Sequence, residues 1–142
     1  MSLMLAAAQT IIAKTLEHGA QAKFKTLGVV VLDARGTVKA AAIGDGSSLA
    51  RFDIARAKAK GALAFNMGTR ALEKIAKERP HFYVGSVSAI EGGIVAVPGG
   101  VLIKSADGQI LGAVGVSGDT SDNDELAAIA GIQAAGFVGD GG

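Results

Sequence analysis

The sequence predicts an α+β fold in which helices cover an antiparallel sheet of about five strands. Strand-like runs follow one another through short turns rich in Gly, Asp and Pro, which favours hairpins. Helical periodicity appears at both ends and in the middle of the chain, and no strand–helix–strand repeat typical of a parallel sheet is present. The predicted order of elements is α-β-β-α-α-β-β-β-α.

The beginning of the chain predicts a helix followed by a β-hairpin. Apolar residues at helical spacing indicate a helix over 3–23. Strands are predicted over 27–32 and 37–43, with Gly36 closing the turn because glycine readily adopts a positive φ. The first of these strands is a continuous apolar run, so we expect it to be central and buried on both faces.

The middle of the chain predicts two helices. One spans 49–65 and begins after Ser47 or Ser48, either of which can accept a hydrogen bond from a free backbone N–H. The second spans 69–78 and ends before Pro80, because the residue before a proline is disfavoured in a helix. The first helix is expected to have an apolar face and a basic, exposed face, made respectively of Phe52, Ala55, Ala59, Ala62 and Leu63, and of Arg51, Arg56, Lys58 and Lys60.

The following segment predicts a loop and then three strands. We expect residues 81–93 to form a mobile or irregular loop, with a short extended piece near Phe82 to Val87. The strands are predicted over 93–97, 101–105 and 109–117, with tight turns of Pro, Gly and Asp between them.

The end of the chain predicts one more helix and a tail. Thr120 or Ser121 can cap this helix, and its acidic first turn suits the positive end of the helix dipole. The helix is expected to continue to about Phe137. The glycine-rich tail, 139–142, is expected to fray.

The composition predicts one soluble domain, 1–142, that associates with further copies of itself. Hydrophobic residues make up 49% of the 142 residues and charged residues only 19%, so we expect part of the surface to be covered by other subunits.

The net charge of +1 gives no field that would attract nucleic acid or an anionic membrane. No segment has the pattern of a signal peptide or a membrane span, so a cytoplasmic protein is expected. Without cysteine, disulfides, thiolate metal sites and a cysteine nucleophile are excluded.

Three segments resemble a known protein family. They are the helical segment ARAKAKGA at 55–62, the turn and strand PGGVLI at 98–103, and the strand GAVGVSG at 112–118 with the acidic helix start at 122–130. Together they are similar to the GlcG/HbpS-type haem-binding family, also found as the C-terminal half of PduO-type cobalamin adenosyltransferases. The resemblance covers nearly the whole chain, and the third segment is its most specific part.

The resemblance implies a profilin-like, three-layer α-β-α fold and ring-like or paired-ring homo-oligomers, often octamers. It also implies binding of haem, with a role in haem sensing or degradation in some members, and a weaker link to cobalamin.

Histidine and aromatic residues are the candidates for holding haem. Imidazole is a common axial ligand of haem iron, and the resemblance implies a ligand position at His18, late in the first helix. The alternative is a solvated histidine stabilised by the helix dipole. His81 is a second candidate, as a ligand or a proton donor, or it is a loop residue without a special role. Phe82 and Tyr83, in the same loop, are placed to flank a flat macrocycle.

Basic residues are the candidates for contacting the haem propionates. The arginine side chain is well shaped for a two-point contact with a carboxylate, and Arg56 lies inside the first matching segment, so we predict that it has this role. The alternative for Arg56 is a structural ion pair. A solvated helix face is the interpretation for the remaining basic residues, Arg51, Lys58, Lys60 and Arg70.

Three functions agree with these residues. The first is an oligomeric haem- or tetrapyrrole-binding protein, a sensor or carrier, with His18 as the metal ligand and haem favoured over cobalamin. The second is an enzyme of haem or small-metabolite breakdown in which His81 and Asp122 move protons. The third is an accessory or assembly module for a metabolic enzyme. No Ser-His-Asp arrangement, phosphate-binding loop or dinucleotide fingerprint is present. The sequence therefore favours a binding protein over an enzyme.

Overall fold

The computed structural model describes all 142 residues and contains five helices and five strands. All strands belong to one sheet, in the order β2-β1-β4-β3-β5, and every neighbouring pair is antiparallel. The predicted α+β class and the five-stranded antiparallel sheet are therefore confirmed. In chain order the elements are α1 (Leu5–Gln21), β1 (Gly28–Asp33), β2 (Val38–Ile43), α2 (Ala50–Phe65), α3 (Thr69–Glu78), α4 (Pro80–Ala89), β3 (Gly100–Lys104), β4 (Ile110–Ser117), α5 (Ser121–Ala134) and β5 (Val138–Asp140).

The predicted hairpin is present, and its first strand is central. β1 lies between β2 and β4, and its residues from Gly28 to Leu32 are buried. Gly36 has a φ of 83° in the connecting turn, and its N–H donates to the carbonyl oxygen of Asp33 at 2.9 Å. The continuous apolar run in β1 therefore reflects burial on both faces of the sheet.

The sheet separates two apolar cores. Val29 and Val31 point toward α1 and α5 on one face, and Val30 and Leu32 point toward α2 on the other. This alternation follows because consecutive side chains of a strand point to opposite faces of the sheet. The molecule therefore has three layers, with α1 and α5 on one side and α2, accompanied by α3, on the other.

Helix α2 approaches the sheet closely because the contacting residues are small. Gly115 of β4 faces the carbonyl oxygen of Ala55, and a Cβ atom at this position would overlap that oxygen. Glycine is therefore required where the two backbones meet. The close approach also brings the next turn of α2 within reach of the end of β4, where a buried ion pair described below is found.

Residues 81–93 do not form the irregular loop that the sequence predicts. Most of this segment is helix α4, and a turn with positive φ at Gly92 and Gly93 follows it. Pro80 lies in the first turn of α4, where its missing N–H leaves no helical hydrogen bond unmade and its φ already suits a helix. The proline therefore separates two helices and begins the second, whereas the prediction used it only to end the first.

The predicted strand over 93–97 is also wrong. This segment pairs with no strand, and its buried residues Ile94 and Ala96 belong to a small apolar cluster with α3. The fifth strand is β5 in the glycine-rich tail, which pairs with β3. An ion pair between Lys104 and Asp140, 2.6 Å long, joins the same two strands. The tail is therefore part of the sheet and not frayed as predicted.

One of the two predicted helix caps is present. Thr120 is the N-cap of α5, and its hydroxyl oxygen accepts a hydrogen bond from the Asn123 N–H at 3.2 Å. Neither Ser47 nor Ser48 caps α2, because Leu49 occupies the N-cap position and the helix begins without a side-chain cap.

Several large apolar side chains are exposed, and three of them lie on α4. Val84 is 65% exposed, and Phe82 and Val87 are partly exposed on the same helix. None of the helices combines the length and the apolar character needed to cross a membrane.

Candidate functional site

His18 lies on α1 beside an open groove between α1 and α5. The groove has a volume of about 420 Å³. Its sides are polar residues of α1, and alanines of α5 leave it shallow and unobstructed. The lining residues are Lys14, Glu17, His18, Gln21, Ala130 and Ala134.

The His18 imidazole has no polar partner within the chain. The side chain is half-buried and forms no ion pair within the chain. The ring of Phe24 lies 5.8 Å away at an interplanar angle of 67°, an edge-to-face contact that supports the imidazole from one side. Imidazole is a common axial ligand of haem iron, so His18 is the residue beside this groove whose chemistry suits such a ligand.

Arg56 lies on the opposite side of the sheet from His18. It belongs to α2, whereas His18 belongs to α1, and these helices cover different faces. Arg56 is half-buried and lines a second groove with Lys60 and Glu91. The prediction that His18 and Arg56 surround one ligand therefore does not hold within a single subunit, because the full thickness of the sheet separates them.

His81 and Phe82 lie together at the beginning of α4, in a helix and not in a loop. Phe82 packs edge-to-face on Phe65, with ring centroids 5.8 Å apart. The guanidinium of Arg79 lies 4.6 Å from the centroid of the Phe82 ring. His81 is exposed and lines none of the grooves of the chain. These two residues are therefore not part of the His18 groove.

A buried ion pair joins the helical layers, and the sequence analysis missed it. Lys58 of α2 contacts Asp124 of α5 with a distance of 3.0 Å between Nζ and Oδ2, and the two side chains are 3% and 2% exposed. The Lys58 ammonium also donates to the carbonyl oxygen of Val116 at 2.9 Å. The other carboxylate oxygen of Asp124 accepts from the Asp119 N–H at 3.0 Å. The pair therefore ties α2 to α5 past the end of β4.

Burial opposes the charges of this pair, and their mutual contact supports them. Desolvation lowers the pKa of the Lys58 ammonium and raises the pKa of the Asp124 carboxyl. The attraction and the hydrogen bond between the two groups act in the opposite direction on both pKa values. No groove reaches Lys58, so this arrangement holds the fold together and does not present a reactive amine.

The spacing of residues on α2 contained a signal for this pair. Lys58 comes three residues after Ala55 and one before Ala59, and both alanines face the core. It therefore lies on the apolar stripe of the helix and not on the basic face that its residue type suggests. A lysine on a buried stripe requires a buried partner, which the acidic start of α5 provides.

Asp122 is engaged by a basic residue of the same chain. The guanidinium of Arg70, at the start of α3, contacts Asp122 at 2.6 Å and Glu125 at 3.0 Å. These contacts raise the pKa of Arg70, chiefly through the hydrogen bond to Asp122. Because Asp122 is held by Arg70 and not by His81, the structure does not bring together the two predicted proton-handling residues.

Comparison with known proteins identifies the family and agrees with the fold. The structure resembles the PduOC:haem complex with a TM-score of 0.85 and 24% identity, covering 96% of this chain and 97% of that one. It resembles a double mutant of Streptomyces reticuli HbpS with a TM-score of 0.83 and 28% identity, covering 96% and 88%. Klebsiella pneumoniae ORFY gives a TM-score of 0.84 and 26% identity, covering 94% and 90%. No curated protein sequence matches the chain. The model of the haem-degrading, HbpS-like protein family matches residues 3–133, and the chain therefore belongs to this family.

Proposed function

We propose that this protein binds haem at the groove beside His18 and does so as a homo-oligomer, in a storage, transfer or sensing role. The observation that carries the proposal is the half-buried imidazole of His18, without an internal ion pair, at the side of an open groove. The family to which the chain belongs and the haem-bound state of a structural neighbour support the same ligand.

The residues around the groove fit a haem. His18 would supply the axial nitrogen, and the iron would supply the ability to bind a further small ligand. Ala130 and Ala134 leave a flat surface against which a macrocycle can lie. Lys14 can turn toward a propionate because its present partner, Glu17, is an exposed residue 3.0 Å away, and such pairs are weak.

The groove covers only one face of a flat ligand. It is open to solvent along its length, so a single subunit would leave the other face of the haem in water. A second copy of the chain would cover that face. The contact that Arg56 was predicted to make with a propionate would likewise require a second subunit, because His18 and Arg56 of one chain lie on opposite faces of the sheet.

Titration with haemin tests the role of His18. We expect His18→Ala to remove the Soret shift that haemin shows on binding to the unmodified protein, because the axial nitrogen is lost. His81→Ala is the matched comparison, since it removes the other imidazole of the chain from an exposed position. If the Soret shift were lost in His81→Ala and kept in His18→Ala, the axial ligand would be His81 on α4 and not His18. If the protein bound cobalamin and not haemin, the ligand would be cobalamin and the proposal of haem would be wrong.

The exposed apolar face of α4 supports self-association. No Lys, Arg, Asp or Glu occurs between Pro80 and Ala89, and Val84 is 65% exposed. We expect Val84→Glu to reduce the assembly measured by light scattering while changing the free energy of unfolding by less than about 0.5 kcal/mol. Lys74→Glu, also exposed but on α3, is the control. An unchanged assembly in Val84→Glu would remove α4 from the interface.

Haem breakdown is a second candidate because the matching family model describes haem-degrading proteins. It predicts a steady loss of haem absorbance in the presence of a reductant, and His81 is the imidazole available as a proton donor. Stable absorbance under these conditions would reject the enzyme. A protein that binds neither haem nor cobalamin yet assembles fully would instead be an accessory module.

A further inference from the structure

We propose that the groove beside Arg56 and Lys60 is a second ligand site, which binds small dicarboxylates independently of the groove beside His18. This groove has a volume of about 560 Å³. It lies between α2, the start of β2 with the turn before it, and the turn that follows α4. Its lining residues are Gly36, Val38, Arg56, Lys60, Glu91 and Gly92.

Two cations line this groove without forming an ion pair inside the chain. Arg56 and Lys60 are one helical turn apart on α2, and both are half-buried. Like charges at this spacing repel each other and destabilise a helix. Neither forms an ion pair, although Glu91 lines the same groove. A bound anion would remove this repulsion.

Glycines keep the groove open around the guanidinium. Gly36 and Gly92 lie in the turns that border the groove, with φ values of 83° and 84°. A Cβ atom at Gly92 would lie 3.0 Å from Nη2 of Arg56. The guanidinium therefore lies against bare backbone at Gly92.

The donors of the groove suit carboxylates better than phosphate. The planar arginine side chain matches the two oxygens of a carboxylate, and the ammonium of Lys60 offers a second positive charge for a second carboxylate. Phosphate sites usually add backbone N–H groups at the N-terminus of a helix. This groove adjoins the middle of α2, beyond the first turn, where such free N–H groups are absent.

The site is separate from the haem groove. Arg56 and Lys60 lie on the face of the sheet covered by α2, and His18 lies on the face covered by α1 and α5. Dicarboxylate binding is therefore expected in the haem-free protein and does not depend on the proposed function.

Calorimetric titration of the haem-free protein with succinate and malonate tests this proposal. We expect Arg56→Gln to weaken binding about ten-fold or more, the usual effect of losing a charge-assisted hydrogen bond. Arg56→Lys keeps the charge but loses the two-point contact, so it should weaken binding to an intermediate degree. Lys60→Gln should also weaken it, and Lys74→Gln, an equal change of charge on exposed α3, should leave it unchanged. Thermal unfolding of each variant checks that it is folded.

Four results would overturn the proposal. The first is that neither dicarboxylate binds at millimolar concentration. The second is that Arg56→Gln binds the dicarboxylates as tightly as the unmodified protein does. The third is that haemin displaces succinate, because Arg56 would then be part of the haem site. The fourth is equally tight binding of inorganic phosphate with the same dependence on Arg56, because the site would then select charge and not carboxylate geometry.

Discussion

The two helical layers pack on the same sheet in different ways. On the side of α1 and α5, branched side chains such as Ile11, Ile132 and Leu111 fill the space between helix and sheet. On the side of α2, alanines of the helix pack on residues of the sheet such as Val30 and Leu102, and Gly115 allows backbone contact. In the first layer, side-chain rotation can relieve part of any added volume, whereas at Gly115 added volume must displace a backbone. The contact between α2 and β4 therefore tolerates less added volume.

The Lys58–Asp124 pair is the point where the two layers depend on each other. Removing one partner, as in Lys58→Met or Asp124→Leu, leaves a buried charge without its counter-charge. We expect each single change to lower the free energy of unfolding by about 3–5 kcal/mol, measured by urea denaturation. The double variant removes both charges and should recover most of this loss. Losses that simply add in the double variant would show that the pair does not couple the layers.

The glycines of the two layers distinguish the two kinds of packing. Gly115→Ala would place a Cβ against the backbone oxygen of Ala55, and we expect a loss of about 1–3 kcal/mol in the free energy of unfolding. Gly131→Ala, on α5, would meet the hydroxyl of Thr15 and the carbonyl oxygen of Ile11.

The loss at Gly131 should be smaller for two reasons. The Thr15 side chain can rotate, and alanine is favoured over glycine in a helix by about 1 kcal/mol. Adding Thr15→Ala to Gly131→Ala should recover part of the stability, because the Ile11 carbonyl oxygen then remains as the closest obstacle, 2.7 Å from the added Cβ. Gly115→Ala has no such rescue, because its three nearest obstacles are all backbone atoms. Equal losses in the free energy of unfolding at the two glycines, with no recovery on adding Thr15→Ala, would show that the two layers do not differ in how they tolerate added volume.

The elements from α1 to α3 could be predicted well from the sequence, and α2 and α3 lie within one residue of the predicted ranges 49–65 and 69–78. Helical spacing, the hairpin turn at Gly36 and the apolar run of β1 are local signals, and each is sufficient to place its element. The resemblance to a known family then supplies the expected three layers. His18 is predicted as a metal ligand from its residue type and from the ligand position that the resemblance implies, and this role stays a prediction.

The segment after α3, the glycine-rich tail and the environment of Lys58 could be predicted less well, because each depends on contacts distant in sequence. α4 lacks an apolar stripe of its own, so no periodicity distinguishes it from a loop. β5 is short and glycine-rich, and only its pairing with β3 makes it a strand. Lys58 is predicted at the surface because lysine is usually exposed. Its position on the apolar stripe of α2 indicates burial instead.

The smallest effect we predict concerns Asp119, which joins the end of the α1 segment to the start of α5. Its carboxylate accepts hydrogen bonds from the Lys25 N–H at 2.6 Å, and from the Thr120 N–H and the Asn123 side chain, both at 2.8 Å.

These donors, first among them the Lys25 N–H, hold the pKa of Asp119 below its ordinary value of 3.8. Because the unfolded chain then binds the proton more readily, the carboxylate stabilises the fold above that value, and this stabilisation is lost as the pH falls through the lowered pKa. Asp119→Asn should therefore be less stable than the unmodified protein near neutral pH. The gap between their urea midpoints should narrow below about pH 4. A gap of constant size down to the acid transition would mean that the geometry of these hydrogen bonds, and not the charge, stabilises this corner of the α1 and α5 layer.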